Sequence, residues 1–97
     1  MLTKNDIVKT IQENMKEIKS YGIKKIGIFG SIATASQTEQ SDIDILVEFQ
    51  KDKKAFDNYM ELKFFLEKLF NCKVDLVIEE ALKSRIRDSV LKEVSYA

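Results

Sequence analysis

Three aspartates stand in or beside runs of apolar residues. Asp42 and Asp44 lie two positions apart in the segment DIDILVEF, and Asp75 interrupts the segment KVDLVIE. If the first segment is a strand, Asp42 and Asp44 project from the same face, roughly 6–7 Å apart along the chain. Neighbouring carboxylates resist joint ionisation unless a cation compensates. Mg²⁺ suits this task, because it takes carboxylate oxygens, water and substrate phosphates. Two such ions about 3.5–4 Å apart activate an attacking oxygen and stabilise a leaving one.

The aspartates also have a structural interpretation. An aspartate at the start of a strand often serves only as a turn or cap residue, and an Asp-x-Asp pair alone is common. Three features favour the metal site, and one of them is the glycine–serine pair that follows the preceding strand. Aspartate disfavours strands, yet Asp42 and Asp44 begin a strongly apolar one and Asp75 interrupts another.

A glycine–serine pair follows the strand that precedes these aspartates. Glycine at position 30 lets the backbone approach a phosphate closely. Exposed N–H groups at a helix start attract anions, and the hydroxyl of Ser31 adds a further donor. Taken alone, Gly30 and Ser31 also fit an ordinary turn at the end of a strand.

Composition restricts the class of protein. Sixteen basic and sixteen acidic side chains give a net charge of zero, so a general electrostatic grip on nucleic acid is not expected. The chain has no histidine, so a proton acceptor must be a carboxylate or part of the substrate. Its single cysteine, Cys72, cannot form an intrachain disulfide, which fits a reducing compartment. No run resembles a signal peptide or a membrane span. We therefore expect one cytoplasmic domain over residues 1–97, without direct binding to nucleic acid or membrane.

Hydrophobic periodicity predicts the elements that position these residues. Apolar residues recur at helical spacing in the first segment, which predicts a helix. Thr3 and Asp6 cap its start, and Leu2 and Ile7 form a hydrophobic staple. Gly22 ends it. Alternating residues predict three strands. The predicted elements are a helix from Thr3 to Gly22, a strand at 24–29, a helical turn and loop at 32–40, a strand at 42–49, a helix at 55–70, a strand at 73–79 and a helix at 80–93. The fold class is α/β (α+β), a small mixed sheet in the order α-β-α-β-α-β-α. Helices pack on one face, and the other face stays open around the aspartates.

The predicted helix at 55–70 carries four aromatic residues that could either stack on bases or pack in the core. They are Phe56, Tyr59, Phe64 and Phe65. Helical spacing favours the core for Phe65, whereas Phe64 falls off the apolar stripe and is open to a partner interface.

Residues 30–49, GSIATASQTEQSDIDILVEF, resemble the signature of minimal nucleotidyltransferases in the DNA polymerase beta-like superfamily. That signature has Gly-Ser, then Ala-Arg-Gly after one free position, then Ser-Asp-x-Asp. The matching positions here are Gly30, Ser31, Ala33, Ser41, Asp42 and Asp44. The strand around Asp75 resembles the family's third-carboxylate strand, and the C-terminal segment is similar to the tail of small members. The family's arginine and following glycine are Thr34 and Ala35 in this chain.

The resemblance implies a nucleotidyltransferase fold and the transfer of AMP from ATP, with pyrophosphate released. It implies that Asp42, Asp44 and Asp75 bind Mg²⁺, two ions being expected, and that Asp75 takes the proton of the attacking hydroxyl. It further implies that Gly30 and Ser31 hold the triphosphate. Small members pair with a HEPN-domain toxin and modify one of its tyrosines, as antitoxins of a type VII-like toxin–antitoxin system. The expected assembly is a hetero-oligomer. The alternative is a catalytically weak or inactive antitoxin that neutralises its toxin by binding, which the loss of the guanidinium at Thr34 favours.

Overall fold

The structure, a computed structural model, describes residues 3–30, 42–53 and 56–97. The described elements comprise four helices, one 3₁₀ turn and four strands. In chain order they are α1 (Lys4–Glu13), α2 (Met15–Lys19), β1 (Ile23–Phe29), β2 (Ile43–Phe49), α3 (Phe56–Phe70), β3 (Val74–Ile78), the 3₁₀ turn (Glu79–Ala81), α4 (Ser84–Glu93) and β4 (Ser95–Tyr96). The predicted helical turn at 32–40 lies outside the described residues. No helix in the three described ranges is both long enough and apolar enough to cross a membrane.

The four strands form one mixed sheet in the order β3-β2-β1-β4. β1 is antiparallel to β2 and to β4, whereas β2 and β3 are parallel. The parallel pair needs a crossover, which α3 supplies between β2 and β3. This topology confirms the predicted mixed α/β class and adds β4, which the periodicity did not reveal.

The N-terminal helix begins as predicted and then breaks. Thr3 accepts a hydrogen bond from the backbone N–H of Asp6, and the Asp6 carboxylate accepts one from the N–H of Thr3, so the capping box is present. At Asn14 the backbone leaves helical geometry (φ −112°, ψ 17°), and its side-chain amide donates to the carbonyl of Thr10. Such local bonding offers the backbone an alternative to a regular helix, so α1 and α2 replace the single predicted helix. Gly22 ends α2 in the left-handed region, as expected. Leu2, the other member of the predicted staple, lies outside the described residues.

One face of the sheet carries the hydrophobic core. The alternating residues of β2 point into it and are at most 6% exposed, and α1, α2 and α3 cover them. The main core residues are Ile7, Ile11, Ile18, Ile26, Ile28, Ile43, Ile45, Val47, Phe49, Leu62, Leu66, Val74 and Leu76. The predicted alternation is therefore confirmed for all three long strands.

The opposite face is open at one end and covered at the other. Leu46 alternates with the core residues of β2, yet it is fully buried outside the main core. It lies opposite Gly27, and a side chain at Gly27 would collide with Val94, just before β4. The C-terminal segment therefore covers the middle of this face.

The last helix, α4, lies apart from the main core. Leu82, Ile86 and Val90 recur at helical spacing along this segment, yet the core cluster contains none of them, and Ile86 is 46% exposed. Glu79–Ala81 form a 3₁₀ turn that packs against β2, so α4 starts at Ser84 rather than at position 80.

Candidate active site

Parallel pairing of β2 and β3 brings two of the predicted aspartates side by side. Asp44 and Asp75 are direct partners in the register of the two strands, and their side chains share the face opposite the core. Asp42 immediately precedes β2 and is exposed. Because side chains alternate along an extended chain, Asp42 lies on the same side as Asp44. The acidic residues of two separate segments therefore converge at one end of the open face.

The pKa of Asp44 is sensitive to this convergence. The pKa of Asp44 is raised from 3.8 to about 6, and the largest cause is burial of its half-buried side chain. The negative charges of Asp75 and Asp42 add to the increase, and a hydrogen bond with the Asp75 side chain does so as well. A carboxyl whose neighbours are carboxylates ionises reluctantly, because the like charges repel. Among the described residues, the charges that act on Asp44 are the negative charges of Asp75 and Asp42.

Gly30 lies directly against the same carboxylate. Its backbone is in the left-handed region (φ +74°), and a Cβ atom there would come within 2.9 Å of the Asp44 Cγ atom. β1 positions Gly30, since Phe29 pairs with Asp44 across the antiparallel ladder. Only a residue without a side chain fits here without a shift. Ser31, the other predicted phosphate-binding residue, lies outside the described residues.

The donor set fits a divalent cation such as Mg²⁺. Asp42, Asp44 and Asp75 offer hard carboxylate oxygens. The charges of Asp75 and Asp42 add to the effect of burial on the pKa of Asp44, and a bound cation would neutralise them. Within residues 3–30, 42–53 and 56–97, no three His, Cys, Asp or Glu side chains already surround one point as metal ligands. Water and substrate phosphates commonly complete a magnesium site. The assignment of the three aspartates as metal ligands stays a prediction.

Two residues that border the site were not singled out from the sequence. Glu67 accepts a hydrogen bond from the backbone N–H of Val74, and the Tyr59 hydroxyl donates to the carbonyl of Leu76. They contact the residues on either side of Asp75. From the sequence, Tyr59 is a candidate only for base stacking or core packing. No spacing in the sequence shows a side chain bonding to a strand edge, so the sequence carried no signal for this role.

The remaining candidates have ordinary environments. Phe65 is half-buried, packs against the core and lies 5.9 Å from the ring of Tyr21, as its helical spacing predicted. Phe64 is 60% exposed, consistent with its position off the stripe. Burial raises the pKa of the Cys72 thiol, as do the negative charges of Asp42 and Glu67, which disfavours a reactive thiolate.

Comparison with known proteins adds evidence on ancestry. Residues 8–97 match the family model for the nucleotidyltransferase domain. The protein adenylyltransferase MntA of Thermococcus cleftensis is 39% identical over 97 residues, which cover 99% of this chain and 97% of that protein. A solved minimal nucleotidyltransferase superimposes with a TM-score of 0.83 at 29% identity, covering 97% of this chain and 95% of the other. A toxin–antitoxin structure with AMP-PNP matches with a TM-score of 0.68 at 26% identity, covering 98% of this chain and 72% of the other.

Proposed function

The chain belongs to the nucleotidyltransferase domain family, and from this premise we propose that it transfers AMP from ATP to a tyrosine hydroxyl of a partner HEPN toxin. The observation that carries the proposal is the register of β2 and β3, which sets Asp44 beside Asp75 on an open face next to Gly30. A similar protein is a protein adenylyltransferase, and a structural relative is a toxin–antitoxin pair with AMP-PNP. Both support this reaction class and this kind of partner.

In this proposal the aspartates hold the cation and, through it, the nucleotide. Asp42 and Asp44 would bind Mg²⁺ together with the triphosphate, and Asp75 would bind the ion nearest the attacking oxygen. When bound, Mg²⁺ neutralises charge on the phosphate oxygens and polarises the phosphorus that is attacked. Asp44 must be ionised to act as a ligand, so binding of a cation lowers its raised pKa.

Asp75 would also act on the acceptor hydroxyl. Its side chain is exposed on β3, at one edge of the sheet, where a hydroxyl of another protein has access. The tyrosine oxygen forms a bond to the α-phosphorus of ATP, the bond from that phosphorus to the pyrophosphate oxygen breaks, and the tyrosine proton passes to the Asp75 carboxylate. No histidine is needed, because a carboxylate accepts the proton.

Gly30 would hold the triphosphate with Ser31. The left-handed backbone of Gly30 and its missing side chain leave space immediately beside Asp44. A phosphate can therefore approach the backbone closely while its other oxygens face the cation.

The proposal includes the setting of the reaction. Residues 1–97 act as one domain in the cytoplasm, where ATP is available, and form a hetero-oligomer with the toxin. The alternative is an antitoxin that neutralises its toxin by binding alone. Thr34 stands where the family pattern has arginine, and this substitution favours the alternative.

One assay separates these two functions. The purified protein is incubated with Mg²⁺, ATP labelled at the α-phosphorus, and the candidate HEPN toxin. We expect the label on a toxin tyrosine, and at least about a hundredfold loss with Asp44→Asn, which keeps the shape of the side chain but removes its charge. The assay is repeated with each of the four labelled nucleoside triphosphates. If the two proteins form a stable complex but none of the four labels the toxin, the enzymatic proposal is overturned and the binding function remains.

A further inference from the structure

The strand that carries Asp75 lies at an edge of the sheet. Among the described strands β3 pairs only with β2, so half of its backbone groups face away from the sheet. The N–H of Ile43 donates to the carbonyl of Lys73 (3.1 Å). Since backbone groups alternate along a parallel ladder, odd-numbered residues of β3 bond to β2 and even-numbered ones face outward. Val74 and Leu76, the neighbours of Asp75, therefore present their backbone groups at the edge.

Two side chains of α3 bind these outward-facing groups. The Glu67 carboxylate accepts from the N–H of Val74 at 3.1 Å, and the Tyr59 hydroxyl donates to the carbonyl of Leu76 at 2.6 Å. Both bonds are partly buried, where the loss of a partner costs more than at the surface. One bond lies before Asp75 in the chain and the other after it.

We propose that Tyr59 and Glu67 are positioning residues, which fix β3 on both sides of Asp75 and thereby hold its carboxylate in register with Asp44. β2 fixes only one edge of β3, and α3 supplies the bonds on the other edge. Asp75 itself is exposed, so its placement depends on the backbone that carries it. The importance of this placement for catalysis rests on the function proposed above.

A different role for the same bonds is protection of the sheet edge. Unpaired backbone groups at an edge invite pairing with another chain, and covering them prevents this. Edge protection predicts that the variants associate through β3 more than the wild-type protein does. Positioning predicts a changed rate with the association state of the wild-type protein unchanged. The experiments distinguish these two roles.

The first experiment measures backbone protection in the metal-free protein. Tyr59→Phe removes only the hydroxyl, and amide hydrogen exchange is followed by NMR at Ile43 and Ile45 of β2, which face β3. We expect about fivefold to tenfold faster exchange, the result of losing one partly buried hydrogen bond. Tyr21→Phe is the matched control, because the Tyr21 hydroxyl donates to Glu17 on α2 instead. Unchanged exchange at both amides in Tyr59→Phe would overturn the inference.

The second experiment measures AMP transfer. We expect kcat to fall about tenfold in Tyr59→Phe and in Glu67→Ala, since small displacements of a reacting group are costly, while KM for ATP changes less than about twofold. Glu67→Gln keeps a carbonyl oxygen as acceptor for Val74 and should recover most of the lost rate. A KM for ATP that rises as much as kcat falls would contradict positioning. So would stronger self-association of either variant than of the wild-type protein in sedimentation.

The two experiments distinguish failure of the proposed function from failure of the positioning role. If the wild-type protein transfers no AMP, the proposed function is wrong, and the exchange rates still decide whether Tyr59 fixes β3. If the wild-type protein is active but Tyr59→Phe and Glu67→Ala match its kcat, the function stands and the positioning role is wrong.

Discussion

The two faces of β2 and β3 contribute to stability with opposite signs. In β2, Ile43 and Ile45 point to the helices and are at most 1% exposed, whereas Asp44 between them points to the open face and keeps a raised pKa. β3 repeats the contrast, with Val74 and Leu76 buried on either side of the exposed Asp75. One face stabilises the fold, and the other gathers like charges that destabilise it.

The difference shows how the chain can place a repulsive site on a stable fold. The strand positions of Asp44 and Asp75 are fixed by the burial of their neighbours, since a slip of one residue would turn the isoleucines to the open face. Burial of the apolar face therefore offsets the electrostatic repulsion among the aspartates. Sites that break local rules of stability in this way are commonly functional.

Ile45→Ala tests the stabilising face. Ile45 is fully buried, so truncation leaves a cavity and should lower the free energy of unfolding by about 3 kcal/mol. Urea denaturation followed by circular dichroism measures this change. The adjacent Asp44→Asn is the matched control, because it alters the opposite face with almost no change in volume. A loss in Asp44→Asn equal to that in Ile45→Ala would contradict the division of roles between the two faces.

Gly30→Ala tests the junction of the acidic face with β1. The left-handed backbone and the close Asp44 carboxylate should together cost about 2 kcal/mol of stability, and the displaced carboxylate should lower AMP transfer. Thermal denaturation and the transfer assay measure the two effects.

Gly22→Ala supplies the control for this variant. Gly22 has a similar backbone angle (φ +86°), and a Cβ atom there would collide with Lys53. Gly22 precedes β1, whereas Gly30 follows it. We expect a comparable loss of stability but normal transfer by the folded fraction. Equal loss of transfer in both variants would show that strain alone, rather than contact with Asp44, explains the effect of Gly30→Ala.

The sequence predicted the parts of this arrangement that depend on local pattern. Alternation placed the core residues of β1, β2 and β3, and the residues at Thr3 and Gly22 marked the ends of the first helical segment. It did not reveal β4, because Ser95–Tyr96 is too short to show alternation and forms through pairing with β1. The contacts of Tyr59 and Glu67 with β3 were also missed, since they depend on how α3 lies against the sheet edge. The predicted roles of Asp42, Asp44 and Asp75 in metal binding await experiment.

The smallest expected effect is the pH dependence that Asp44 gives to the metal-free protein. Its pKa of about 6 in the folded state exceeds the ordinary value of 3.8, so between these values the folded state binds more protons than the unfolded state. The free energy of unfolding must then fall as the pH rises, and the contribution is lost above about pH 6. Because the side chain is partly exposed, we expect a loss of about 1 kcal/mol between pH 5 and 7 relative to Asp44→Asn, whose amide does not titrate. Urea denaturation of both proteins in EDTA measures this difference, and parallel pH profiles would contradict it.

Mg²⁺ at pH 7 should restore the stability that the wild-type protein loses through ionisation of Asp44, but it should not stabilise Asp44→Asn to the same extent. The reason is that a bound cation relieves the repulsion that raises the pKa of Asp44.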